Sequence, residues 1–278
     1  MMQTRRKRRT GITRGIYLLP NLLTTFGLFL GILAIVKTLH HEFVMASWAI
    51  IVAGLCDNLD GRVARLTGSA SEFGIEYDSL ADLIVFGVAP AILIYSWSLA
   101  SFPRLGWLVA FLYVACGALR LARYNVQVAT VERTYFQGLP IPMAAGMIVC
   151  TVLFYDAIYG RVFPVRNWWL IGMTVVLALL MISTCRYRSM KQIRLGSRWS
   201  FFALVAVVGI VTLVALQPEV ILFVLNAVYL VSGVVESIMH RREQGGASRN
   251  DLSVDDEVLP EALQEKIRLL PSMGGGRE

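Results

Sequence analysis

Apolar runs of about twenty residues recur along this chain, each long enough to cross a bilayer as a helix. They occupy 17–37, 43–61, 77–98, 105–125, 141–159, 167–185, 200–217 and 219–239, the last two separated by a tight turn at Gln217, Pro218 and Glu219. The pattern predicts an all-α polytopic membrane bundle of about eight transmembrane helices. Composition agrees. Charged residues make up 16% of the chain and mean hydropathy is +0.61, whereas a soluble domain carries roughly 25% charge.

The basic residues set an orientation. With the N-terminus in the cytoplasm and the spans alternating, 22 of the 26 Lys and Arg fall on the cytoplasmic side, and Lys37, Arg104, Arg161 and Arg166 fall opposite. The positive-inside rule selects this arrangement, with both termini cytoplasmic. Positive charge confined to loops argues for membrane orientation and against a nucleic acid polymer as partner. The opening MMQTRRKRRTGITRG resembles a signal-peptide n-region, but the run after it is long enough to span and lacks a small-residue cleavage site. It reads as a retained first helix.

Organisation follows from the same pattern. Residues 1–16 form a basic cytoplasmic N-terminus, 17–199 a six-helix core, 200–239 an additional helix pair and 240–278 a polar cytoplasmic tail. The connector 185–199 is strongly basic and suits anionic lipid headgroups. The tail segment PEALQEKIRLL, 260–270, has the pattern of a short amphipathic helix. Cys56, Cys116, Cys150 and Cys185 lie in or beside apolar runs at no disulfide or zinc spacing, and read as small buried hydrophobes.

Four aspartates interrupt this apolar background at Asp57, Asp60, Asp78 and Asp82. Carboxylates in such surroundings are costly unless a cation or strong donors offset them. Helical spacing sorts them. Asp57, Asp60, Gly61 and Ala64 share one face, and Gly74, Asp78 and Asp82 share another at four-residue intervals. The polar stretch LTGSASEF, 66–73, lets the two faces meet near the cytoplasmic boundary. Small residues on these faces leave room for a ligand or a helix. Arg62 and Arg65 cannot neutralise four carboxylates at close range. Hard oxygen ligands of this kind suit Mg²⁺ or Mn²⁺. Two classes fit the residues: an enzyme acting on a phosphate compound, or an ion-coupled membrane transporter with a carboxylate pathway.

The spacing Asp-x2-Asp-Gly-x2-Ala-Arg-x8-Gly-x3-Asp-x3-Asp resembles the signature of the CDP-alcohol phosphotransferase family, with all eight fixed positions present within 26 residues. LPNLLTTFGLFLGILAI at 19–35, ALRLARYNV at 118–126 and FQGLPIPMAAG at 136–146 resemble its phosphatidylserine synthase branch. The resemblance implies that 17–199 is the family's six-helix catalytic core.

What the resemblance implies is a reaction: phosphatidyl transfer from CDP-diacylglycerol to the hydroxyl of L-serine, giving phosphatidylserine and CMP. Glycerol phosphate, inositol phosphate or choline as acceptor are the alternatives within the family. It further implies divalent metal, a homodimer and, for a lipid donor with soluble co-substrates, an active site at the cytoplasmic face of a prokaryotic inner membrane. By motif position Asp57, Asp60, Asp78 and Asp82 resemble metal ligands, Asp82 also the general base. Asp57, Asp60, Gly61, Ala64, Arg65, Gly74 and Asp78 resemble the donor-binding wall. Arg120, Arg123, Asn125, Gln137, Arg186 and Lys191 are candidates for acceptor or phosphate binding, arginine because it suits planar bidentate contacts.

Overall fold

Among the described residues, five helices are long and apolar enough to cross a membrane. The computed structural model describes residues 18–68, 71–128, 136–160, 164, 166–183, 186–187, 208–209, 212, 216–233 and 235. Helix α1 is Leu18–Leu39 and α2 is Phe43–Thr67. Between them His41 takes a left-handed backbone, and Lys37 and Glu42 form an ion pair at 2.8 Å across the turn. The three-residue link makes α1 and α2 neighbours along their lengths. The two helices meet at Gly27, where a Cβ would lie in ordinary contact, 3.8 Å from the Ala53 carbonyl oxygen. Small residues at helix contacts are what association in lipid requires.

Helix α2 continues past the apolar run that ends at 61. Its stop is Gly68, whose φ of 60° places it in the left-handed region and whose N–H bonds the Ala64 carbonyl. Helix α3, Glu72–Asp82, starts five residues before the run expected at 77, because the Ser71 hydroxyl accepts the Gly74 N–H at 3.0 Å. An oxygen in that position satisfies an orphan donor of the first turn. A π-turn, Leu83–Val88, follows directly, and α4, Ala89–Trp97, completes the span. Hydropathy ends with the apolar stretch; the caps extend both helices beyond it.

Helix α5 is Leu105–Val128 and α6 is Ile141–Tyr159. Pro140 and Pro142 frame the start of α6, and Gly160 closes it with φ 67°. Helix α7 is Trp168–Ile182 and α8 is Pro218–Gly233. The strands β1, Phe136–Gln137, and β2, Arg186–Tyr187, form one short antiparallel pair, a small exception to the all-α expectation. Gly138 beside it has φ 81°, and a Cβ there would collide with the Met181 carbonyl oxygen.

The bundle is all-α and polytopic, and the protein is an integral membrane protein. Five described helices meet the length and hydropathy of a span, against the eight expected. The run 167–185 yields only 15 helical residues, since the chain leaves α7 at Ser183 to reach β2. The run 219–239 is described as helix over Pro218–Gly233, and 200–217 lies mostly outside the described residues.

Core residues such as Trp97, Tyr113, Ile148 and Leu170 are fully buried, while Phe29, Leu55, Phe111 and Leu179 stand more than half exposed along the same bundle. Such an apolar exterior suits lipid. Buried hydroxyls of Thr38, Ser47 and Thr174 bond carbonyls four residues back, which leaves them satisfied within their own helices. Cys56, Cys116 and Cys150 are free and buried, as expected, and Cys185 lies outside the described residues. All the elements above belong to the unit Met1–Gly233; of the unit Val234–Glu278 a single residue, 235, is described.

Candidate metal centre and active site

The reversal at Gly68 and Ser71 brings the acidic faces of α2 and α3 together. One carboxylate oxygen each from Asp57, Asp60 and Asp78 lie within 4.8 Å of one another. Asp82, one turn further along α3, lines the same pocket with Thr24, Val85 and Phe86, and reaches the Asp57 side chain. Asp60 is 5% exposed, the most enclosed of the four. Its Oδ2 accepts the Thr24 hydroxyl at 2.8 Å. That hydroxyl also lies 3.1 Å from the Pro20 carbonyl, but the shorter contact to a carboxylate takes the proton.

The donor set fits a divalent cation. Oxygen ligands at 2.0–2.1 Å from Mg²⁺ are at most about 4.2 Å apart, so the observed spacing needs only small side-chain rotations to close. Arg62 and Arg65 are exposed, and among the described residues no ion pair joins either to an aspartate. The protein therefore offers oxygen donors without a paired guanidinium beside them, as a cation site requires.

Gly61 lies beside the Arg65 guanidinium, a hypothetical Cβ falling in ordinary contact 3.6 Å from its Nη1, and Ala64 is half-buried. Gly74 is tighter. A Cβ there would meet Ser71 Oγ at 3.1 Å and Asn21 Oδ1 at 3.3 Å, so any side chain would push against the α3 cap. Arg120, on α5, is half-buried, and its Nε has no hydrogen-bond partner. It stands within electrostatic reach of Asp82, Tyr124 and Tyr229. Arg123 is half-buried one turn on. Asn125 donates through Nδ2 to the Ser79 hydroxyl at 3.1 Å, so it braces α3 beside Asp78. Gln137 and Arg186 are paired in register between β1 and β2. Lys191 lies outside the described residues.

Sequence reasoning missed Thr24, Ser79 and the contact of Thr25 Oγ1 with Tyr77 OH at 3.0 Å. All three tie α3 or its acidic partner to a neighbouring helix. A hydroxyl on a transmembrane run carries no spacing that tells which helix it will face. Thr24→Val keeps the shape and removes the donor to Asp60. It is expected to weaken Mn²⁺ binding ~10-fold or more, read by titration of the purified protein; unchanged affinity would remove Thr24 from the site's support.

Comparison with known proteins agrees with this geometry. Residues 17–180 match the family described as CDP-alcohol phosphatidyltransferase. A CDP-diacylglycerol–serine O-phosphatidyltransferase of Helicobacter pylori J99 is 39% identical over 223 residues, covering 80% of this chain and 92% of that protein. The enzyme of that name from Mycobacterium leprae is 32% identical over 222 residues, 77% and 73% of the two chains. An archaetidylserine synthase of Methanothermobacter thermautotrophicus is 38% identical over 171 residues, 61% and 69%. The matched region runs from the first span into α7 and contains all four aspartates, and the chain belongs to the CDP-alcohol phosphatidyltransferase family.

Proposed function

We infer that this protein transfers the phosphatidyl group of CDP-diacylglycerol to the hydroxyl of L-serine, releasing CMP and forming phosphatidylserine in a metal-dependent reaction. The observation that carries the reading is the convergence of Asp57, Asp60 and Asp78 in a chain closely similar to enzymes named for that transfer. Asp57, Asp60 and Asp78 would hold Mg²⁺ or Mn²⁺, with Asp82 as a further ligand. The bound ion would supply charge neutralisation to the diphosphate and to departing CMP.

The remaining chemistry falls to the chain's own residues. Serine Oγ forms a bond to the phosphorus bearing diacylglycerol, the bond from that phosphorus to the CMP oxygen breaks, and Asp82 takes the serine proton. Gly61, Ala64 and Gly74 form the wall against which cytidine and diphosphate lie, with Arg65 at its edge. Arg120 is the contact for the serine carboxylate, supported by its unpartnered Nε near Asp82. Arg123, Asn125, Gln137, Arg186 and Lys191 serve in this scheme as secondary acceptor or phosphate contacts. Arg120→Lys retains charge but loses the planar fork. It is expected to raise the KM for serine ~10-fold or more, with the KM for CDP-diacylglycerol little changed; an unaltered serine KM would remove Arg120 from that role.

The distribution of Lys and Arg supports cytoplasmic termini and a cytoplasmic active site in a prokaryotic inner membrane, and the apolar runs support eight spans divided as 17–199 and 200–239 between the N-terminus 1–16 and the tail 240–278. Family resemblance supports a homodimer.

The test is an acceptor panel. Purified protein receives CDP-diacylglycerol, Mg²⁺ or Mn²⁺, and serine, glycerol phosphate, inositol phosphate or choline in turn. CMP release with equimolar phosphatidylserine, dependent on serine, is expected. Release with another alcohol alone would change the acceptor, and no release from folded, metal-binding protein would favour an ion-coupled transporter.

A further inference from the structure

We propose that Tyr113 is a positioning residue for the acidic centre, its hydroxyl holding the π-turn Leu83–Val88 in the register that sets Asp78 and Asp82 against Asp57 and Asp60. The π-turn begins at the residue after Asp82, and the Ala89 N–H bonds the Ile84 carbonyl five residues back. Pro90 explains it. In an α-helix the Phe86 carbonyl would accept the N–H of residue 90, but proline has none and its ring crowds that carbonyl. The turn widens, and Phe86 loses its α-type donor.

Tyr113 supplies the replacement. It is fully buried on α5, and its hydroxyl donates to the Phe86 carbonyl at 3.1 Å. On the other side α1 closes on the same turn. A Cβ on Gly31 would lie 2.8 Å from Val85 Cγ2. The widened turn is therefore held between α1, which also carries Thr24 to Asp60, and α5. Val85 and Phe86 line the pocket that holds the four aspartates.

The consequence is geometric. A π-turn accommodates one residue more than an α-turn, and each residue of an α-helix advances by about 100°. Reversion to α would rotate Asp78 and Asp82 by that amount relative to α4, away from Asp57 and Asp60. Wide turns of this kind are common at functional sites.

The test rests on the metal-dependent reading above but does not need turnover to be read. Tyr113→Phe keeps the ring and removes only the hydroxyl. Mn²⁺ affinity, measured by electron paramagnetic resonance on the full-length protein in detergent without substrate, is expected to fall roughly ten- to hundredfold, and kcat to fall with it. Pro90→Ala in the Tyr113→Phe background returns an N–H to residue 90. It should recover thermal stability while Mn²⁺ affinity stays low, because the α register re-forms. Wild-type Mn²⁺ affinity in Tyr113→Phe, or recovery of both stability and affinity on adding Pro90→Ala, overturns the proposal. Failure of the wild type to release CMP while Tyr113→Phe still weakens Mn²⁺ binding would sink the proposed reaction and leave this inference standing.

Discussion

Asp60→Asn is expected to lower serine-dependent CMP release by ~10²- to 10³-fold or more while the protein remains folded. The substitution is nearly isosteric. The asparagine Oδ1 can still accept the Thr24 hydroxyl, so the tie between α1 and α2 survives and only the charge is lost. Asp60 is the most enclosed member of the triad, and its oxygen lies within 4.8 Å of those of Asp57 and Asp78. Removing one of the three closest anionic ligands weakens the hold on a divalent ion whose affinity depends on ligand charge. Raising the Mn²⁺ concentration should therefore recover part of the activity. A variant as active as the wild type at low Mn²⁺ would show that Asp60 does not ligate the ion.

Asp82→Asn should behave differently. Its carboxylate lies outside the closest triad but lines the same pocket. Loss of the proton acceptor is expected to lower kcat by ~10²- to 10⁴-fold, while Mn²⁺ and CDP-diacylglycerol binding are largely retained. The contrast between the two variants carries the assignment: Asp60→Asn is rescued in part by metal, and Asp82→Asn is not. Turnover of Asp82→Asn at the wild-type rate would remove it as base. The paired measurement is a Mn²⁺ activation curve for each variant beside direct Mn²⁺ binding.

How much of this was legible in the chain depends on the kind of interaction. The four aspartates were, because helical spacing places Asp57 with Asp60 and Asp78 with Asp82, and a short polar link lets two helices meet. The caps at Gly68 and Ser71 explain why α2 and α3 run further than hydropathy indicates. Apolar runs mark where lipid is tolerated, but a helix ends where its backbone groups find other partners. The same distinction explains α7, cut short where the chain turns to pair with β1.

Other features are tertiary. Thr24 and Thr25 are neighbours on one helix, yet one bonds Asp60 and the other Tyr77, and only the crossing of α1 with α2 and α3 separates their roles. Asn125, a candidate for the acceptor, is engaged with Ser79 and supports α3. Pro90 lies within an apolar run that reads as one uninterrupted span. Its effect on Phe86 four residues earlier follows from proline chemistry alone, but the donor that answers it comes from Tyr113, 27 residues away in sequence.

The central claim is that two neighbouring helices hold a divalent ion between their aspartates. Anomalous diffraction at the manganese edge, from crystals grown with Mn²⁺, tests it most directly. A peak bounded by Asp57, Asp60 and Asp78 oxygens, absent in Asp60→Asn at the same Mn²⁺ concentration, is the predicted result. A fully occupied manganese bound elsewhere, with these three carboxylates making no contact to it, would contradict the account.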